Sequence, residues 1–348
     1  MSTTPDHDLH HDGEPGLFDR AAGAFYGLAL GDALGMPTQV MSREEVVRAY
    51  GTLSGFEPAR HDNPVSAGMP AGSVTDDTDQ AVIVARLIVE GGGHVDPLRF
   101  AEELLAWERE MKAKGSFDLL GPSTKAALDA VARGTDLKEA GKYGTTNGSA
   151  MRVTPVGIAF PCAPDDIEPF LDRVVESCQV THDTTIGVAA AAAVAAAVST
   201  GVAGGSLDEV FDAAIAASAA GGRRGHWIAG ASIPARIAWA RELVAGLDEA
   251  EALDRIDALI GTSVASQESV PAAFAVLALT GGDPWRSALL AANLGGDSDT
   301  IGAIAGAIAG SVRGLGALPA DAVRTLREVN GLELEPLVRQ LLTYRTAL

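Results

Sequence analysis

The chain is short of sulfur, of aromatic rings and of positive charge, and each shortage closes off a class of function. Only two of its 348 residues are cysteines, Cys162 and Cys178. They make neither a zinc-type spacing nor a disulfide framework, and free thiols in a reducing cytoplasm are expected. Aromatic residues are only 5% of the chain, while 40 residues are glycine. Basic residues number 26 against 46 acidic ones, a formal net charge of −20. A surface of that sign repels phosphate backbones and anionic lipid, which argues against generic nucleic-acid or membrane binding. The opening MSTTPDHDLHHDGEPG lacks the apolar stretch of a signal peptide. Residues 1–16 read as a disordered acidic tail, with no metal role assigned to His7, His10 or His11. Ile186–Val198 and Ile301–Val312 are apolar but alanine-rich and shorter than the roughly 20 residues a bilayer needs. They are expected as buried core helices.

What the chain has in quantity is small and apolar residues, 47% of it hydrophobic. Alanine is the best helix former, and small side chains let helices approach closely. A single all-α domain over residues 17–348 is the economical reading, since no linker or repeat divides it. Helical patterns run over Leu17–Leu34, Ser42–Tyr50, Asp76–Glu90, Pro97–Lys112, Ser123–Ala132, Asp165–Thr181, Thr184–Thr200 and Leu207–Ala220. They continue over Ile233–Ala245, Asp248–Ile260, Val270–Leu279, Pro284–Asn293, Thr300–Leu315 and Ala320–Val329. Gly51–Ser73, rich in Gly, Pro, Asn and Ser, reads as loop. The β-branched run Arg152–Ile158 does not alternate far enough to make a sheet.

Two places carry chemistry. Thr75-Asp76-Asp77-Thr78-Asp79 opens one helix, and Gly295-Gly296-Asp297-Ser298-Asp299-Thr300 opens another. The plain alternative is helix capping, worth roughly 0.5–2 kcal/mol for one oxygen acceptor. A cap needs one acceptor, however, and each segment supplies several. Two unit charges 4 Å apart repel by roughly 4 kcal/mol at an effective dielectric near 20, and a cation would turn that repulsion into coordination. Carboxylates and hydroxyls form a hard oxygen set, suited to Mg²⁺, Mn²⁺ or Ca²⁺ rather than Zn²⁺. Gly302, Gly306 and Gly310, four residues apart, make a smooth helix face. That face is expected either in ordinary tight core packing or against the other acid-bearing helix.

With GDALGMP near the start, then TDDT, TNGSAMR, a Thr-His pair and LGGDSDTIGAIAGAIAG near the end, the chain resembles the ADP-ribosylglycohydrolase family. That family includes the dinitrogenase-reductase-activating glycohydrolases, and the resemblance runs from Gly27 to Pro319. It implies an all-α orthogonal bundle and a binuclear Mg²⁺ or Mn²⁺ site, with Thr75, Asp76, Asp77, Asp297, Asp299 and Thr300 as metal ligands. It further implies that Asn147, Gly148, Ser149 and Met151 line the ribose and diphosphate pocket. His182, Gly295, Gly296 and Ser298 would lie near the substrate. One departure stands out: many protein-directed members carry a glutamate shortly after the GDALG motif, where this chain has Gln39. An amide accepts no proton at neutral pH.

The expected reaction is hydrolysis of the glycosidic bond at C1 of a ribose in an ADP-ribosylated protein or small molecule. Asp76 and Asp299 are the first candidates for the base and Asp79 the second, while Asp32 is expected to bond the GDALG turn. The competing readings are a hydrolase of nucleosides or other small N-ribosides, and a protein that binds ADP-ribose or Ca²⁺ without catalysis.

Overall fold

The computed structural model describes residues 15–117 and 120–346. The expected tail therefore lies, but for Pro15 and Gly16, outside the described residues, with His7, His10 and His11. Among the described residues eighteen α-helices follow one another without a strand, apart from isolated bridges joining Thr146 to Ala265 and Thr184 to His226. They are α1 (Leu17–Gly35), α2 (Arg43–Tyr50), α3 (Asp76–Glu90), α4 (Pro97–Ala113), α5 (Pro122–Ala132), α6 (Leu137–Ala140), α7 (Gly148–Met151), α8 (Thr154–Ala159) and α9 (Glu168–His182). Then come α10 (Thr185–Val202), α11 (Leu207–Gly221), α12 (Ile233–Leu243), α13 (Glu249–Arg255), α14 (Ser266–Thr280), α15 (Pro284–Leu294), α16 (Ser298–Arg313), α17 (Ala320–Asn330) and α18 (Glu335–Thr346).

Helices α1, α10 and α16 are apolar or small on nearly every face and are buried on nearly every face. That is the expected fate of a helix with no polar stripe. By length and composition α10 could cross a membrane, but 89% of it is buried inside this protein. Alanine run and core helix are here the same thing.

The tightest packing in the molecule joins α1 to α16. A Cβ on Gly27 would strike the Gly306 carbonyl, one on Gly31 the Gly302 carbonyl, and one on Gly23 the Gly310 carbonyl. The reverse clashes hold for Gly302, Gly306 and Gly310. The smooth face of α16 is therefore pressed against the GDALG helix rather than against α3. The two helices run antiparallel, so the C-terminal end of α1 meets the N-terminal end of α16. Gly35 sits against Ser298 and Asp299. Two glycine rows thus deliver Asp32 and the Asp297–Thr300 segment to the same end of the bundle.

Candidate active site

The start of α3 is organised by a residue from another helix. Its first residues need acceptors for free backbone N–H groups, yet the Thr75 side chain caps nothing in its own helix. The carboxylate of Asp32 does the capping, accepting from Thr75 N (3.0 Å), Thr75 Oγ1 (2.8 Å), Thr78 N (3.1 Å) and Thr78 Oγ1. Sequence reasoning assigned Asp32 to its own turn; the structure corrects this, because α1 crosses beneath the start of α3. Burial lifts the Asp32 carboxyl to about 6, against the lowering pull of those hydrogen bonds. The loop leading into α3 is fastened by Asn330, which accepts from Val74 N (3.0 Å) and donates to the Gly72 carbonyl (2.8 Å).

With capping done by Asp32, the acids of α3 are free to face elsewhere. Asp77 is 1% exposed. Its Oδ2 accepts from Thr300 Oγ1 across the site (3.3 Å), while its Oδ1 is buried with no hydrogen-bond partner. Asp76 accepts from Gln80 Nε2 (2.7 Å). From α16, Asp299 accepts from Thr300 N (3.0 Å), and Asp297 accepts from Asn147 Nδ2. Burial, then the charge of Asp299, then those of Asp76, Asp32 and Asp297, hold the Asp77 carboxyl well above the usual carboxylate range. Burial and the neighbouring acids, Asp297 first, do the same to Asp299. Burial lifts Asp297 to about 6, with Asn147 and Thr300 pulling it down. The two acidic segments, 220 or so residues apart in sequence, are one electrostatic unit.

Asp76, Asp77, Asp297, Asp299 and Thr300 line a cavity of about 270 Å³, together with Gln39, Asn147, Gly148 and Met151. Its further wall includes Phe117, Thr124 and Thr146. Gln39 is 5% exposed, and its Nε2 has no hydrogen-bond partner. The next residue, Val40, has φ 58, the one non-glycine residue described in the left-handed region. For a β-branched side chain that is strained. It is held by Val40 N donating to the Gly296 carbonyl (2.6 Å) and Gly296 N donating to the Met41 carbonyl (2.7 Å). The loop that presents Gln39 is thereby stitched to the loop that opens α16.

Among the described residues no group of three or more His, Cys, Asp or Glu side chains stands ready to hold a metal ion by itself, so any cation here would need hydroxyls or water as well. The orphaned Asp77 Oδ1, the mutual repulsion of the clustered carboxyls and the all-oxygen chemistry fit a hard divalent cation. The residues present fit the group.

The sequence profile of the ADP-ribosylglycohydrolase family matches residues 13–347. The chain belongs to this family. It is 34% identical over 328 residues to YegU, an uncharacterised protein of Escherichia coli (strain K12), covering 94% of this chain and 97% of that one. It is 27% identical to the ADP-ribosylhydrolase ARH3 of Bos taurus, with 86% of each chain covered. A solved structure described as an ADP-ribosylglycohydrolase-related protein complex superposes with a TM-score of 0.66 at 26% identity, covering 94% of this chain and 98% of that one. The chain is thus a glycosyl hydrolase with the all-α fold of this family.

Not every residue expected at the site of this glycohydrolase reaches the cavity. Thr75 gives its hydroxyl hydrogen to Asp32 and keeps only lone pairs to offer. Ser149 donates to the Gly187 carbonyl (3.0 Å), tying α7 to α10 rather than facing a substrate. Ser298 donates to the Gly35 carbonyl (2.9 Å) and pairs with Thr38 Oγ1 (3.0 Å), closing the glycine seam. Gly295 and Gly296, at φ 72 and 65, are glycines because a Cβ would strike Met41 and Thr262. They shape the loop and do not line the cavity. His182 is fully buried one layer behind it, bonded to Thr146 and Thr181. Gln80 was missed, and Thr146 and Arg152, at the two ends of the segment expected to line the pocket, were given no role of their own. Arg152 stood in the NGSAMR motif, and a buried arginine amid so much negative charge was the signal.

Proposed function

We propose that this glycohydrolase cleaves the glycosidic bond at C1 of a ribose in an ADP-ribosylated substrate, with divalent cations held by Thr75, Asp76, Asp77, Asp297, Asp299 and Thr300. The observation that carries the reading is Asp77: a buried carboxyl facing a cavity, with one oxygen unpartnered and other acids around it. Such a group does not serve stability, because an uncompensated buried charge costs several kcal/mol, roughly 3–5 in broken pairs. The names of relatives that act as ADP-ribosylhydrolases support the substrate class.

When bound, such cations would supply Lewis acidity, fixing ribose hydroxyls and making water acidic enough to deprotonate at neutral pH. The chain's own residues do the rest. Asn147 donates to Asp297 and is itself anchored to Ser269 Oγ (2.9 Å). Gln80 fixes the orientation of Asp76. Asp76 and Asp299 are the proposed proton acceptors for the attacking water, and the negative face stabilises the oxocarbenium character of the sugar at the transition state.

A second reading has its own observation. Gln39 presents an amide, not a carboxylate, to the cavity, so it offers an unpartnered donor where protein-directed relatives would accept a proton. This favours a smaller ribosyl compound as substrate. The deciding experiment is a panel of ADP-ribosyl-arginine, ADP-ribosyl-serine, O-acetyl-ADP-ribose and common nucleosides, each with Mg²⁺ and with Mn²⁺, monitored for release of ribose or ADP-ribose. Turnover of an ADP-ribosyl compound supports the first reading and turnover of nucleosides alone the second. Metal-independent turnover would sink both.

A further inference from the structure

Behind Gln80, which orients Asp76, lies a buried polar chain with no role assigned so far. Arg152 is fully buried, stacked 4.9 Å from the centre of the Phe100 ring, and stays charged because burial lowers its pKa only to about 10. One arm of its guanidinium donates to Gln80 Oε1 (2.6 Å) and the other to Thr181 Oγ1 (2.6 Å). Thr181 Oγ1 meets His182 Nδ1 at 2.7 Å, and His182 Nε2 meets Thr146 Oγ1 at 3.0 Å. Gln80, Arg152, Thr181 and His182 are all 0% exposed. The chain ends at two residues of the cavity wall, Asp76 and Thr146.

A guanidinium only donates, which fixes the first link on each arm, and the links beyond follow from where the remaining hydrogens can go. Gln80 must turn its carbonyl oxygen to Arg152, so its amide nitrogen is the atom given to Asp76. Thr181 accepts from Arg152, and because its buried hydroxyl has no other acceptor among the described residues, its hydrogen goes to His182 Nδ1. An Nδ1 that accepts leaves the hydrogen of a neutral imidazole on Nε2. That Nε2–H donates to Thr146 Oγ1. The Thr146 hydrogen is then left over, and no described residue accepts it.

We infer that Arg152 is a positioning residue with two outputs: it fixes the carboxylate of Asp76, and through a His182 locked as the Nε2–H tautomer it presents the Thr146 hydroxyl to the cavity as a donor to a substrate oxygen. The inference rests on the glycohydrolase reading for the identity of that oxygen, but the direction of the chain stands without it. Lysine cannot replace the arginine, since an ammonium on a single stem does not hold two acceptors in a fixed fork.

The test combines histidine ¹⁵N NMR with binding of ADP-ribose. In the wild-type protein the His182 signals, assigned by their loss in His182→Asn, are expected in the Nε2–H pattern alone. Arg152→Lys and Thr181→Val are expected to mix the tautomers. Thr146→Val should weaken ADP-ribose about tenfold, the equivalent of one hydrogen bond, while Thr146→Ser binds as wild type. Circular dichroism on every variant separates loss of fold from loss of the relay. An Nδ1–H wild-type histidine, an unmixed tautomer in Arg152→Lys, or undiminished binding by Thr146→Val would each overturn the inference. Failure of the wild-type protein to bind ADP-ribose at all would count against the glycohydrolase reading of the cavity, and the tautomers would still decide the relay.

Discussion

Acids open many helices here, and they have two different fates. Asp96, Asp248 and Asp283 each accept the backbone N–H three residues on, from Arg99, Glu251 and Arg286, at 2.8–2.9 Å. They are ordinary caps. Asp297 stands at the same place before α16 and makes no such bond, and at α3 neither the cap residue nor its acids serve the helix end. One acid, Asp32, was brought in from α1 to cap α3, which leaves Asp77 with an idle buried oxygen. An acid that stabilises its helix has its oxygens satisfied locally. Asp77, relieved of that duty, faces the cavity with an oxygen to spare.

The strongest way to sharpen the contrast is to remove an acid of each kind. Asp77→Ala or Asp299→Ala should lower hydrolysis roughly 10³-fold or more, as loss of a principal electrostatic group does, with the helical circular dichroism unchanged. Next in size is the effect of pH and metal on stability. Asp32 and Asp297 titrate near 6 when folded, against 3.8 as the ordinary value. Between those pH values the unfolded chain has released protons that the folded one retains, so stability falls as pH rises. The metal-free protein should therefore melt higher at pH 4.5–5 than at pH 7.5, and Mg²⁺ at about a hundred times its Kd should restore about 2.7 kcal/mol at the higher pH. A flat metal-free profile in differential scanning fluorimetry would remove the electrostatic part of the account.

Smaller again is Gln39→Glu. Giving the cavity a carboxylate in place of the unpartnered amide should raise turnover of ADP-ribosyl-arginine several-fold, roughly 1 kcal/mol in the barrier. An unchanged rate would mean that Gln39 does not limit that substrate. The smallest effect belongs to an ordinary cap: Asp283→Ala should cost about 1 kcal/mol, lower the Tm by a few degrees, and leave hydrolysis untouched.

Much of this was readable in the chain itself, for identifiable reasons. Asp76–Glu90 was bounded correctly because acids begin it and three glycines end it. Val270–Leu279 was cut short, since α14 begins at Ser266 and runs through Pro271. A proline there orphans the Gln267 carbonyl, and Arg236 Nε supplies the missing donor from α12, which no local pattern reveals. α18 was overlooked although Val338, Leu341 and Leu342 carry its buried stripe. At the site, the clustering of acids was visible because each segment carries more acceptors than a helix cap needs. Which of them faces the cavity was not, because that depends on Asp32 reaching α3 and on the glycine seam that brings α1 and α16 into register. Ser149 and Ser298 look like ligands in sequence, and only the carbonyls of Gly187 and Gly35 explain them.

The most direct measurement is on Asp77→Asn, which keeps the shape and removes the charge. In metal-free buffer at pH 7.5 it should melt above the wild type, because a repelled buried carboxylate is gone, and it should bind Mg²⁺ weakly by calorimetry and hydrolyse nothing. A variant that melts lower, binds Mg²⁺ as the wild type does and retains full activity would make Asp77 one more structural acid and contradict the account.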